Sequence, residues 1–162
     1  MLDVTPTDPP NAARIVADAD VLAADVFVDG PARSAMDVIR SHSWLELVAS
    51  DALVADAAWV IEQCGSAVVA ADWTTLIDEL RVRVDHPTGD HPALASALHA
   101  NAAHVLSLDD RLISPETGAR IRRHVQTSIK RPAAFVSIFD PASLYAHVVG
   151  DTYPGPDRDP RS

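Results

Sequence analysis

Residues 90–110, DHPALASALHANAAHVLSLDD, decide how the chain is read. The first half puts Leu94, Ala97 and Leu98 on one helical face, with Asp90 able to cap the helix and Pro92 tolerated in its first turn. The second half, HVLSL at 104–108, is a short apolar run of the strand type that stops on two adjacent aspartates, Asp109 and Asp110. A helix feeding a buried strand is half of a βαβ unit. Carboxylates at the end of such a strand are costly unless water or a cation receives them.

The same alternation extends outward in both directions. ARIVAD (13–18), LELVA (45–49), LRVRV (80–84) and AFVSIF (134–139) read as further strands. Between them lie helical patterns: Val21, Leu22, Val26, Ala35, Val38 and Ile39 around a VDGP turn, then 51–64 capped by Ser50 or Asp51 and stopped by Gly65. Further helices are expected over 71–80, 116–128 and PASLYAHVV at 141–149. Strands separated by helices predict an α/β three-layer sandwich with a mainly parallel central sheet of about five strands. The expected domain covers 13–149, between a flexible N-terminal segment 1–12 and a polar, proline-rich tail 150–162 expected to be disordered.

With 162 residues, 48% of them apolar, there is material for one core. No apolar run reaches membrane-spanning length, and the acidic, proline-rich N-terminus lacks the character of a signal peptide, so no membrane partner and a cytoplasmic location are expected. The one cysteine, Cys64, sits in a helical apolar pattern and reads as a buried thiol. Thirteen basic residues stand against twenty-three acidic ones, a net charge of −10, and the acids are nineteen Asp to four Glu. This skew resembles that of halophilic proteins, whose acidic surfaces stay solvated when salt shortens the Debye length to about 3 Å. An Asp in this chain is therefore informative only through its position.

In parallel sheets the ligand crevice lies beyond the carboxyl ends of the strands. Asp18 ends the first strand, Asp109 ends the fourth, and Asp90 opens the helix leading into it. Asp56 borders the apolar stripe of the 51–64 helix. Each alone reads as a cap or a surface residue. Together they would repel one another and raise their own pKa values unless a divalent cation neutralised them, and all-oxygen ligands favour Mg²⁺ or Mn²⁺ over zinc. The nearby histidines, His86, His91, His99 and His104, fit no closed zinc spacing. Neither GxGxxG, GxxxxGK[ST] nor GxSxG occurs, which disfavours nucleotide-dependent and serine-hydrolase chemistry.

The order IVADADVL, SDALVADAAWVI, GDHPALASALHANAAHVLSLDDRL and FVSIFDPASLYAHV resembles the PIN-domain ribonucleases over residues 13–149. The resemblance implies metal-dependent endonucleolytic cleavage of RNA, with Asp18, Asp56, Asp90 and Asp109 at the four acidic positions. It makes Asp18, Asp90 and Asp109 metal ligands joined by Asp20, and puts Ser107 at a supporting hydroxyl position. Asp56 stands where the family commonly has Glu, and 111–133 is longer than the minimal pattern. Small members of the family act as toxins held by an antitoxin protein, commonly as homodimers. Those partners are implied here only by the likeness. A catalytically silent PIN-like module that binds RNA or a protein is the alternative.

Affinity for RNA rests largely on basic residues, which is awkward for an acidic protein. Residues 111–131 carry Arg111, Arg120, Arg122, Arg123, Lys130 and Arg131 against Glu116, a local net of +5. This strip follows Asp109, and Arg111, Arg122 and Arg123 are the expected phosphate contacts, unless the arginines pair instead with surface aspartates.

Overall fold

The computed structural model describes residues 9–117 and 127–160. Five parallel strands, β1 (Asn11–Ala17), β2 (Glu46–Ala49), β3 (Val82–Arg83), β4 (Ala102–Leu106) and β5 (Ser128–Lys130), form one sheet in the order β3-β2-β1-β4-β5. Ile15 and Ala17 of β1 face His104 and Leu106 of β4 in register, and Ile15 also pairs with Leu47 of β2. The chain runs outward from β1 to β2 and β3 on one side and continues through β4 and β5 on the other. The strand order therefore reverses between β1 and β4, and the carboxyl ends of strands at such a switch point are where a ligand crevice is expected.

The helices α1 (Ala19–Phe27), α2 (Pro31–Arg40), α3 (Asp51–Cys64), α4 (Ala67–Leu80), α5 (Pro92–Ala100), α6 (Asp110–Ile113), α7 (Pro132–Ile138) and α8 (Pro141–Val148) complete the three-layer α/β architecture. The central strands are apolar nearly throughout because both faces are covered: Ile15, Val16, Leu47, Val48, Val105 and Leu106 are buried. Met36 and Ile39 of α2 and Leu53, Ala57 and Ile61 of α3 pack into the same core. Among the described residues, no helix is long and apolar enough to cross a membrane.

Several boundaries differ from expectation, each for a local reason. Helix α4 starts at Ala67, before the expected 71, because Ser66 caps it by accepting from the Val69 N–H at 3.2 Å. The cap of α5 is His91, not Asp90. Asn101 closes α5 in the left-handed conformation at φ 51°, so β4 begins at once, two residues before the expected strand, and Ser107 and Leu108 lie beyond it. AFVSIF is helical: Pro132 sits in the first turn of α7, and Pro132 and Phe135 are buried at helical spacing, with Phe139 half-buried beyond them. The fifth strand is instead SIK at 128–130, paired to β4 through Ile129↔Val105 and Lys130↔Leu106. The helix expected over 116–128 falls mostly outside the described residues, and Ser128 opens β5.

The ends also differ. Strand β1 starts at Asn11, whose N–H donates to the Asn101 carbonyl at 2.8 Å, so residues 11 and 12, expected to belong to a flexible segment, are part of the sheet. Cys64, expected to be buried, is exposed at the last residue of α3. The segment from Gly150, expected to be disordered, is held against the end of α2. The Tyr153 hydroxyl bonds the ring of buried His42 at 2.7 Å, the backbone N–H of Asp157 donates to the Ser41 carbonyl at 3.0 Å, and the Asp157 carboxylate receives the Ser43 N–H at 2.7 Å.

Candidate acidic site at the β1–β4 crevice

The turn after β1 is built around Asp18. Its backbone N–H donates to the Leu106 carbonyl at 2.8 Å, which continues the β1–β4 ladder one residue past the strand. Its carboxylate then caps α1, with Oδ1 accepting from the Ala19 N–H at 2.8 Å. Asp18 is only 8% exposed, and Ser107 is wholly buried beside it. The Ser107 hydroxyl donates to Asp18 Oδ2 at 3.0 Å and accepts the Asp109 N–H at 3.0 Å, while the Ser107 N–H donates to the Lys130 carbonyl at 3.0 Å. One hydroxyl thereby ties the ends of β1 and β4 together, and its backbone reaches β5.

Asp20, in the first turn of α1, reaches the same loop. Its Oδ2 accepts the Leu108 N–H at 3.1 Å, and its Oδ1 is buried with no hydrogen-bond partner. Burial, then the neighbouring Asp18 charge, and more weakly Asp109, push the Asp20 carboxyl above its ordinary range. Asp109 caps the short helix α6. Arg111 holds its carboxyl below the usual range: Nε and Nη2 sit 3.2 and 3.1 Å from the two carboxylate oxygens, and the Arg111 N–H adds a third bond at 2.9 Å. His91, at the start of α5, lies close enough to act on Asp109 by its charge.

Asp18, Asp20, Ser107 and Asp109 are thus gathered at the switch point, but the wider set of acids is not. Asp90 is exposed one residue before the α5 cap, and its charge acts on His99. Asp56 is exposed in the second turn of α3. No group of three or more His, Cys, Asp and Glu side chains is positioned to hold a metal ion among the described residues. The chemistry of Asp18, Asp20 and Asp109 nonetheless suits a hard cation. Asp20 Oδ1 is a buried anionic oxygen with no hydrogen bond of ordinary geometry, the Val21 N–H acting on its carboxylate only alongside that of Leu108, and Mg²⁺ or Mn²⁺ is the kind of ligand that satisfies such an oxygen.

The part of the basic strip that lies among the described residues is engaged. Arg111 is on Asp109, Arg131 pairs with Asp110, and Lys130 Nζ lies 3.0 Å from His104 Nδ1. Arg120, Arg122 and Arg123 lie outside the described residues. Sequence reasoning weighed His91 only as a zinc ligand and did not place it beside Asp109, although its position directly before Pro92 at the start of the helix feeding β4 was the available signal. It gave Ser50 as a cap of α3 but missed the bond to His86 that makes Ser50 a polar node at the end of β2. There the buried Ser50 hydroxyl caps α3 through the Leu53 N–H at 3.1 Å and bonds His86 Nε2 at 2.8 Å, bracing the loop before α5.

No curated protein and no solved structure matches the chain. A family model does match, over residues 9–161, and the chain belongs to that family, a family of unknown function designated DUF7384.

Proposed function

We infer that the protein is a metal-dependent endoribonuclease of the PIN type, cutting RNA phosphodiesters at the crevice between β1 and β4. The observation that carries this reading is the junction of Asp18 and Asp109 through the Ser107 hydroxyl, with the unpartnered Asp20 oxygen beside them. The motif likeness to PIN-domain ribonucleases supports it independently. A bound Mg²⁺ or Mn²⁺ supplies charge neutralisation at the phosphate and a more acidic water. Asp18 and Asp20 are the residues to hold it, and Ser107 keeps the Asp18 carboxylate in one orientation. Arg111, beside the site, is the residue to grip the substrate phosphate. A cytoplasmic location, a homodimer and an antitoxin partner belong to the same reading through that likeness.

The second reading is a PIN-like module that binds RNA or a protein without cutting it. It is favoured by the Arg111 guanidinium on Asp109 and by the exposed positions of Asp56 and Asp90. The deciding experiment incubates purified protein with a mixed structured and unstructured RNA pool in high salt, with Mn²⁺, Mg²⁺ or chelator. Metal-dependent cutting should fall to background in Asp18→Asn and Asp109→Asn, with wild-type circular dichroism. Full activity in both variants overturns the site, and no cutting by the wild type under any condition favours the binding module.

A further inference from the structure

A groove of about 940 Å³ runs between α4 on one side and the end of α1, the helix α2 and the C-terminal segment on the other. Trp73 and Ile77, both buried, lie at its base, while Val69 and Leu76 stand at its rim, 37% and 66% exposed. Val69, Asp72, Leu76 and Glu79 follow one another at three- and four-residue spacing along α4, so the helix shows the groove a stripe of alternating apolar and acidic side chains. The opposite wall carries cations. Arg40 is neutralised there by Asp25 and Asp37, at 2.7 and 2.6 Å. Arg33 is not: its Nε and Nη2 donate to the carbonyls of Asp25 and Val26, each at 2.9 Å, and it enters no ion pair among the described residues. Asp72 and Glu79 enter none either.

We propose that this groove is where two copies of the chain meet about a two-fold axis, α4 of each lying in the groove of the other so that Val69 and Leu76 are covered and Asp72 and Glu79 face Arg33 of the partner copy. A fixed guanidinium on one wall and two unpaired carboxylates on the other, with apolar surface between them, make a patch complementary to itself. An isologous contact forms each such pair twice. A small molecule at the base would leave Leu76 in water, whereas a second helix covers it. Phe27, Val28 and Val68, all exposed, lie next in sequence to Val26 and Val69 and add apolar surface towards the roughly 800 Å² per partner that a stable pairing buries. Each copy has a net charge of −10, so two copies repel in general and pairing suits a face where opposite charges meet locally. The homodimer of the ribonuclease reading names no surface; this contact is argued from the groove and stands or falls without the nuclease.

The test is sedimentation velocity over a concentration series at about 0.15 M ionic strength, where charges within about 8 Å still act on one another. The wild type should sediment as a dimer without RNA or metal. Leu76→Asp, at a position exposed in the single chain, should weaken the dimer at least about tenfold with a native circular dichroism spectrum. Arg33→Glu should weaken it about tenfold, as should Asp72→Arg combined with Glu79→Arg, and all three charge reversals together should restore most of the affinity. Arg33 also braces the end of α1, so if Arg33→Glu melts lower the acid variants decide the matter. A monomeric wild type overturns the pairing, and so does a dimer that Leu76→Asp and the acid reversals leave unchanged, because another face then makes it. RNA cutting is a readout in none of these arms, so its absence bears on the ribonuclease reading alone.

Discussion

Asp20 shows in one side chain how the crevice trades stability for readiness. Burial and the charges of Asp18 and Asp109 raise its pKa in the folded protein, so the folded chain binds that proton more tightly than the unfolded chain does. The stability linked to that proton is present in acid and is lost as the pH rises through the folded pKa. At neutral pH, without a cation, the charged carboxylate is a cost. Asp20→Asn is therefore expected to raise the melting temperature by about 2–4 °C at neutral pH in chelator, with the gain shrinking towards pH 4, as read by calorimetry at both pH values. A lower melting temperature at neutral pH would mean that the Leu108 N–H bond outweighs the charge. Asp18 and Asp109 were legible in the sequence because each ends an apolar strand-like run. The unpartnered oxygen of Asp20 was not, because it depends on what the folded loop at Leu108 leaves out of reach.

Strands β4 and β5 meet in a pair that chain order could not announce. His104 and Lys130 are twenty-six residues apart, and parallel pairing brings Lys130 Nζ to 3.0 Å from His104 Nδ1, with the imidazole edge-on to Phe135 at 5.7 Å. Burial first, and the ammonium second, push His104 down to about 4. The folded ring stays neutral where an unfolded one, with an ordinary value of about 6.5, takes a proton. Stability is then highest above that value, declines as the pH falls from about 6.5 to about 4, and levels off below. His104→Gln should remove this component. Relative to the wild type, the variant should gain about 2 kcal/mol between neutral pH and pH 4, less than the full shift implies because the ring is partly exposed. Urea unfolding at pH 7, 5.5 and 4 checks it, and parallel curves would rule it out. The same region explains the misplaced fifth strand. AFVSIF alternates well enough for a strand, but Pro132 favours a helix start and Pro132, Phe135 and Phe139 also fit helical spacing, so only the partner available to β4 decides between them.

Across the whole molecule, the C-terminal segment is a part of the packed structure. His42 is buried at the end of α2, with Nδ1 2.7 Å from the Val38 carbonyl, which leaves Nε2 to accept from the Tyr153 hydroxyl at 2.7 Å. Trp44, Tyr145 and Tyr153 stack edgewise around it, Trp44 to Tyr145 at 5.3 Å and Tyr145 to Tyr153 at 5.9 Å. Tyr153→Phe should cost about 1 kcal/mol in chemical denaturation, and removal of residues 150–162 about 2 kcal/mol, neither change altering Mn²⁺ binding at the distant crevice. An unchanged midpoint in both would show that the segment merely rests on the surface. Composition could not reveal this contact, since a polar, proline-rich tail packs only where a folded surface presents matching donors and acceptors.

The sequence by itself determined the α/β alternation, the parallel sheet and the strand-ending acids, because local periodicity and caps follow from backbone geometry and from which faces must be apolar. Only the tertiary structure decided which acids meet. The reversal of strand order at β1 and β4 brings Asp18, Asp20, Ser107 and Asp109 together. The same packing leaves Asp56 and Asp90 exposed on α3 and before α5. Convergence of residues ninety positions apart is set by the register of non-local strand pairs, and no run of neighbouring residues encodes that register.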